Sequence, residues 1–383
     1  MKIVICNIAF HTNTPTGGDT IFIECAKRWS REGHIVTILT TESCARYCQS
    51  HGFPKENIRV WPFAIYDTLG YEAAIFIKTV LASLYAICTP KIPADIYFAS
   101  SFFLPDSIPA YIMYLRSRSR VFLTSMYVYT KRYFGGGYSG GAVIGFFFWI
   151  HEAIVVQLLK WSNGFVLTSS TYDATELISL THLLPSRVHA VDGGVDMNFF
   201  TSIPAGNIKY TAVFVGRFKP QKCIPELIRI WKTVHDHDTS RTLAIIGGGP
   251  LENVLRQQVI ELGLGDSVAF LGVLDGAQKI QVLKSSSMFI SASRFDTGNI
   301  ALDEALACRI PGVIYDLPSM RRELGVLKVP IGDTDRFVNA IEQLLDDNAV
   351  YKRLQADALK FARSIDWSIR AKEILKFASD TIV

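Results

Sequence analysis

The chain has 383 residues, a formal charge of +4, 49% hydrophobic residues and 19% charged ones. So apolar a composition specifies a folded protein, and the length exceeds one ordinary core, so two domains of about 190 residues each are expected. The charge is too small, and the Lys/Arg runs too short, to track a phosphate backbone, so no nucleic-acid partner is expected. A mean hydropathy of +0.23 implies that some apolar surface meets something other than water.

Lys2 to Ile8 has the pattern of a buried strand, and the N-terminus enters it with no basic region or cleavage site, so no signal peptide is expected. Gly17 and Gly18 precede a helix whose Ile21, Phe22, Cys25, Ala26 and Trp29 recur at helical spacing until Gly33, and His34 to Thr40 is a second strand. This is a βαβ opening of Rossmann type without the GxGxxG fingerprint, so no nicotinamide or flavin cofactor follows from it. Further strands are expected at 58–63, 95–100, 121–125 and 164–169, with helices near 71–88 and 106–115. Such alternation predicts a parallel sheet covered on both faces. A domain linker is expected in 197–209, which lacks clear periodicity. A second alternating set then places strands at 210–216, 243–246, 268–271, 288–292 and 313–315. After Asp333 the chain reads as helical to its end.

Seven cysteines show no paired metal spacing, since Cys44 and Cys48 lack a second pair and nearby His ligands. Cys6, Cys25, Cys88 and Cys308 lie in apolar stretches and read as small core residues, which points to a reducing compartment and a cytoplasmic protein. His235-Asp-His-Asp238 falls at a helix end and reads as a solvated turn, so no metal is expected there.

The stretch Gly140 to Ile150 is strongly apolar, with Phe146, Phe147 and Trp149, but His151-Glu152 interrupts it before it reaches the roughly 20 residues of a spanning helix. With Lys131, Arg132, Arg116, Arg118 and Arg120 nearby in sequence, it predicts a peripheral contact of the first domain with an anionic membrane surface. A buried core helix is the plainer reading of the same run.

The chemistry-bearing residues cluster in the second half. Gly216-Arg-Phe-Lys-Pro-Gln-Lys222 follows a strand end and precedes a helix led by Pro225, so Arg217 and Lys222 are two loop cations, open to solvent or to an anion. Ile245-Ile-Gly-Gly-Gly-Pro250 closes another strand, its Gly248 and Gly249 serving either a nucleotide or simply a tight turn. Ser291 to Cys308 reads as strand end, loop and helix, with Asp296 in the loop and Glu304 inside the helix. Gly298, Asn299 and Ile300 lie where that helix starts and its free N–H groups favour an anion.

Two acids separated by seven residues, after a Ser-rich strand end and before Ala-x-Ala and a Pro-led strand, resemble the donor signature of glycosyltransferase family 4, also called glycosyl transferases group 1. Gly216-Arg217…Lys222, the Gly-x-Gly-Pro turn and Gly193-Gly-Val-Asp196 resemble further segments of the family. The resemblance implies the α/β GT-B fold, two Rossmann-like domains facing each other across a cleft. It places an acceptor domain at 1–196, a nucleotide-sugar domain at 197–365, and a last helix at 366–383 returning to the first domain. It implies retaining, metal-independent transfer of a hexosyl group from a nucleotide-sugar donor to a glycan or lipid-linked acceptor, with no cofactor besides that co-substrate. Asp296 would meet the sugar, Arg217 and Lys222 the diphosphate, and Glu304 the ribose diol. Gly17, Gly18, Gly216, Gly248, Gly249, Gly298, Asn299 and Ile300 would line the donor.

The chain departs from the family pattern at several places. Asp296 replaces the usual Glu, Thr297-Gly298 the usual Gly-Phe-Gly, and Cys223 and Arg309 stand at usual glycines. No His follows the strand at Leu123. A GT-B isomerase or hydrolase acting on the nucleotide sugar, and a non-catalytic binding scaffold, are the other readings.

Overall fold

Continuous burial along the first strand explains why its sequence does not alternate. In the computed structural model of the protein, which describes residues 1–9, 17–62, 71–126, 141–191, 193–320 and 324–380, β1 (Lys2–Asn7) lies in the middle of a parallel sheet. The other strands are β2 (Ile35–Thr40), β3 (Ile58–Val60), β4 (Ile96–Ala99), β5 (Val121–Ser125), β6 (Phe165–Thr168) and β7 (Val188–Ala190), ordered β3-β2-β1-β4-β5-β6-β7. The connecting helices are α1 (Gly17–Arg31), α2 (Glu42–Ser50), α3 (Tyr71–Cys88), α4 (Leu104–Ser117), α5 (Gly141–Ser162) and α6 (Thr171–Thr181). Ile21, Phe22, Cys25, Ala26 and Trp29 of α1 are buried as their spacing requires, and Gly33 leaves the helix at φ +86°.

The second unit repeats the plan. After α7 (Met197–Ser202) come β8 (Tyr210–Val215), α8 (Ile224–His237), β9 (Leu243–Ile246), α9 (Glu252–Glu261), β10 (Val268–Gly272), α10 (Gly276–Lys284), β11 (Ser286–Ser291), α11 (Ile300–Ala307), β12 (Gly312–Tyr315) and β13 (Val326–Val329). Two helices, α12 (Thr334–Asp346) and α13 (Asn348–Ser364), follow. The parallel order β10-β9-β8-β11-β12-β13 reverses direction between β8 and β11, and ligands of such sheets bind at the strand ends beside that reversal.

The described residues divide into one unit made of those up to 191 together with 367–380, and a second made of those from 193 to 366. The last helix, α14 (Trp367–Ser379), thus belongs with the first unit. Trp29 Nε1 donates to Ala371 O at 2.8 Å, and Trp367, Ile374 and Leu375 join Ile5, Ile38 and Phe98 in that unit's core.

Several expectations are corrected. Gly193–Asp196, expected to close the first domain, sit with the second unit, because Val195 N donates to Ile365 O at 3.1 Å and Asp196 caps α7. Residues 197–202 are helix, not linker, and Phe200 and Ile203 enter the second core. The short edge strands β7 and β13 were not foreseen. His151 and Glu152 close the apolar run as expected, although α5 itself continues through them and both are buried. Cys88 is exposed, while Cys6, Cys25 and Cys308 are buried as expected, and so are Cys44 and Cys48.

Candidate active site

The reversal between β8 and β11 brings together two loops that the sequence keeps 74 positions apart at their closest contact: Lys222 Nζ forms an ion pair with Asp296 Oδ2. Lys222 ends a short 3-10 turn after β8, and Asp296 lies in the loop between β11 and α11. The loops are joined again where Arg294 N donates to Gln221 O at 3.1 Å and where Arg294 Nη2 meets Glu226 Oε2 at 2.6 Å. Ser319 Oγ donates to Asp296 O at 2.5 Å, and Thr297 N to Asp296 Oδ1 at 3.1 Å, so the acid is held from both sides. Its side chain is 11% exposed, which keeps the pair partly out of water while leaving it reachable.

Arg217 is exposed, and no hydrogen bond of its guanidinium is formed with the described residues. Lys219 stands close enough that burial first, and Arg217 second, lower its pKa. Three cations therefore leave β8 within six residues, and only Lys222 has a carboxylate partner among the described residues.

Cys223, which stands where the resemblance has glycine, adopts the left-handed conformation that favours glycine, φ +47° and ψ +37°. Arg309 does the same after α11 at φ +63°. The glycine run answers a question the sequence left open. A Cβ on Gly247 would lie 1.9 Å from Gly216 O, and one on Gly249 would lie 2.9 Å from Phe218 N. Those two glycines are required by the contact between the turn and the β8 loop. Gly248 meets no backbone in this way, as its Cβ would lie 3.3 Å from the Val273 side chain and 3.8 Å from Glu252 Oε2.

At the helix start, Asn299 Oδ1 accepts from Leu302 N at 3.1 Å, so its side chain is the N-cap of α11 and not a free ligand group. Ile300 N turns back to Gly298 O at 3.1 Å. Glu304 lies one turn further on, beside Lys279 of α10, whose Nζ is 2.8 Å from Oε1. Burial raises the Glu304 pKa and Lys279 opposes it; burial works against the Lys279 charge, but Glu304 outweighs it and leaves that pKa raised. Lys279, Ser319 and Arg294 were missed by sequence reasoning, since each becomes legible only when two loops or two helices are known to touch.

The other sequence candidates lie elsewhere. Gly17 and Gly18 form the first turn of α1 in the first unit. His237 Nδ1 and Arg241 Nη1 both reach Glu342 Oε1, at 2.9 and 2.6 Å, which spends the acidic turn on a surface cluster. No group of three or more His, Cys, Asp or Glu side chains suited to a metal occurs among the described residues. Lys131 and Arg132 lie outside the described residues. The first unit has its own polar centre at the ends of β1 and β4: the Asp106 carboxylate accepts from Ile8 N and Ala9 N at 2.5 and 2.8 Å, and Asn7 Nδ2 donates to Ser100 Oγ at 2.7 Å. Burial pushes the Asp106 pKa up to about 6. His151 Nδ1 accepts from Leu104 N at 3.0 Å and, by burial, its pKa is lowered to about 4.

Residues 199–361 match the family described as "Glycosyl transferases group 1". The chain is 30% identical over 204 residues to the phosphatidyl-myo-inositol mannosyltransferase of Mycobacterium leprae, covering 50% of this chain and 54% of that protein. It is 26% identical over 249 residues to the D-inositol 3-phosphate glycosyltransferase of Stackebrandtia nassauensis, covering 59% and 56%. The chain thus spans about half the length of the curated relatives it matches. Among solved structures, Anabaena HepE in complex with UDP and glucose superposes with a TM-score of 0.72 at 16% identity, covering 99% of this chain and 100% of that one. Staphylococcus aureus TarM, in complex with UDP and other ligands, gives 0.73 at 10% identity over 98% and 99%. At these identities the likeness establishes the GT-B fold. A putative UDP-N-acetylglucosamine 2-epimerase of Listeria monocytogenes shares that fold, with a TM-score of 0.66 at 9% identity over 100% and 96%, so the chemistry must be argued from the site.

Proposed function

We propose that this chain, whose residues 199–361 match the glycosyl transferases group 1, transfers a hexosyl group from a nucleotide sugar to an acceptor hydroxyl. The observation that carries the reading is the Lys222–Asp296 pair at the sheet's reversal point, beside the start of α11. Charge grows on the diphosphate as the glycosidic C–O bond breaks, and the cations Lys222 and Arg217, with the N–H groups of α11, stabilise it. Asp296 orients the sugar hydroxyls, and Glu304 accepts from the ribose diol. Asn299 contributes by starting α11, and Gly248 and Gly298 by leaving room for the nucleotide.

Substitution proceeds on one face of the sugar. The acceptor oxygen bonds to the anomeric carbon, the bond to phosphate breaks on the same side, and the acceptor proton passes to the departing phosphate, so configuration is retained. No metal or further cofactor takes part in this scheme, because fixed cations fill the metal's role. The UDP in the Anabaena and staphylococcal structures makes a uridine donor the first to test. Release of nucleoside diphosphate that requires an added acceptor supports transfer; release without one would favour hydrolysis or isomerisation.

The acceptor is proposed to be carried on lipid, with the first unit docked on the inner face of the cytoplasmic membrane. The mycobacterial relative's name, a phosphatidyl-myo-inositol mannosyltransferase, favours such an acceptor. Along α5, Phe146, Phe147, Trp149, Ile154 and Trp161 are exposed, and along α3 so are Phe76, Val80, Leu84 and Ile87. No helix among the described residues is long and apolar enough to cross a membrane. Arg118 and Arg120 are exposed near these helices, but Arg116 donates to Thr89 O at 3.0 Å and is spent on capping α3.

A further inference from the structure

Of the two acids at the candidate site, Glu304 is the one whose surroundings go beyond the sequence motif. Its helix α11 packs beside α10, and Lys279 reaches across to place Nζ 2.8 Å from Oε1, with both side chains 16% exposed. The lysine is itself aimed from below. Asp275 caps α10 by accepting from Gly276 N at 2.7 Å, and its Oδ1 lies 3.7 Å from Lys279 Nζ, so the ammonium sits between two carboxylates, one exposed and one not. Glu304 Oε2 receives no hydrogen bond from any described residue.

We infer that Lys279 is a positioning residue for nucleotide binding: it holds Glu304 as an ion with Oε1 engaged, so that Oε2 is presented to the two hydroxyls of the ribose. This rests on the reading of Glu304 as the ribose-holding acid. The physical case is one of competition. Partial burial favours the neutral carboxylic acid, which has a proton on one oxygen and is the weaker acceptor, whereas a cation at contact distance favours the carboxylate. Lys279 also removes one rotamer choice from a flexible acid, because an oxygen fixed at 2.8 Å leaves the other pointing one way. A purely structural bridge between α10 and α11 would stabilise the unit but would not care what sugar the nucleotide carries. That difference separates the two.

The test uses the full chain and calorimetry with UDP, GDP and ADP and the 2′,3′-dideoxy form of each. The wild type should bind the ribonucleotide of one base about tenfold or more tighter than its dideoxy form, as expected for a charge-assisted hydrogen bond. Lys279→Met should erase most of that preference by weakening the ribonucleotide about tenfold while leaving the dideoxy affinity within about twofold, and Lys279→Arg should restore much of it. Equal loss on both forms, or an unchanged preference, would overturn the role of Lys279. A wild type that binds a ribonucleotide and its dideoxy form equally would overturn the role of Glu304 instead. Binding of none of the six would remove the nucleotide site itself. Melting temperatures of both variants, measured alongside, identify a variant that has simply lost its fold, and the Arg variant then carries the decision.

Discussion

Lys222 of the β8 loop and Asp296 of the β11 loop are joined by an ion pair across the point where the second sheet reverses its strand order. Neither strand is long, and neither residue is unusual. What brings the pair together is the topology, which sends both loops out at the carboxyl ends of two adjacent central strands beside the start of α11. A salt bridge with side chains 18% and 11% exposed adds little net stability by itself, because lost hydration offsets the attraction. In the proposed function it keeps a cation and an acid in fixed places before a ligand arrives.

If those places matter, Lys222→Ala and Arg217→Ala should each lower turnover at least about tenfold, since charge-assisted hydrogen bonds contribute about 1.5 to 3 kcal/mol. Arg217 is exposed, so its removal should leave the melting temperature unchanged. Steady-state rates near wild type in both variants would remove these residues from the mechanism.

The two acids are expected to separate by ligand. Asp296→Asn should spare binding of free nucleoside diphosphate, whereas Glu304→Gln should weaken it about tenfold. Titration calorimetry distinguishes them, and equal losses would mean that the roles are wrongly divided.

Two residues hold a conformation that suits glycine. Cys223 and Arg309 have φ of +47° and +63°, so Cys223→Gly and Arg309→Gly should each stabilise the protein by up to about 1 kcal/mol, read as a shift in denaturant midpoint. Unchanged or lower midpoints would show that the side chains compensate for the strain.

A pH experiment follows from the first unit. His151 has its pKa lowered to about 4 by burial, against about 6.5 unfolded. The unfolded chain therefore binds the extra proton between those values, and the stability His151 contributes is full above about 6.5 and lost as pH falls toward 4. Asp106 runs the other way. Its pKa is raised to about 6 by burial, against about 3.9 unfolded, so its contribution is largest at low pH and is lost as pH rises through 6. The two slopes oppose each other between pH 4 and 6. His151→Gln should then lose stability on going from pH 4 to 6, and Asp106→Asn should gain it, each by about 1 to 3 kcal/mol relative to wild type. Parallel profiles for all three proteins would contradict these environments.

Docking on lipid predicts sedimentation with anionic liposomes that falls with salt and drops when Phe146, Phe147 and Trp149 become Ser. A second variant with Phe76, Val80 and Leu84 changed to Ser should lose binding as well, because these side chains form the exposed face of α3. A protein that stays in the supernatant at low salt would point to a soluble acceptor.

Much of the fold was legible because both sheets are parallel and buried. Runs such as Ile3-Val-Ile-Cys6 and Leu243-Ala-Ile-Ile246 are apolar without alternation, and turn residues bound them. The strands that escaped, β7 and β13, are short, lie at sheet edges and are only partly buried, so they carry no such run. In the site, Asp296, Glu304 and Lys222 were legible because their spacing to strand ends survives in sequence. Lys279 was not, since its meaning depends on α10 lying beside α11. Asp106 was hidden for the same reason: it lies 98 positions from the Ile8 amide it accepts from. The glycines divided differently. In sequence Gly247 is indistinguishable from Gly248; the approach of Gly216 O and a φ of +140° at Gly247 separate them.

The central claim is that the second unit holds a nucleotide sugar, and a thermal-shift measurement of the full chain with UDP, GDP, ADP and their common sugars tests it most directly. A ligand present at about 100 times its dissociation constant stabilises by about 2.7 kcal/mol, so one nucleotide and its sugar should raise the melting temperature by several degrees, and Lys222→Ala should shrink that rise. No shift with any nucleotide or nucleotide sugar at millimolar concentration would contradict the account.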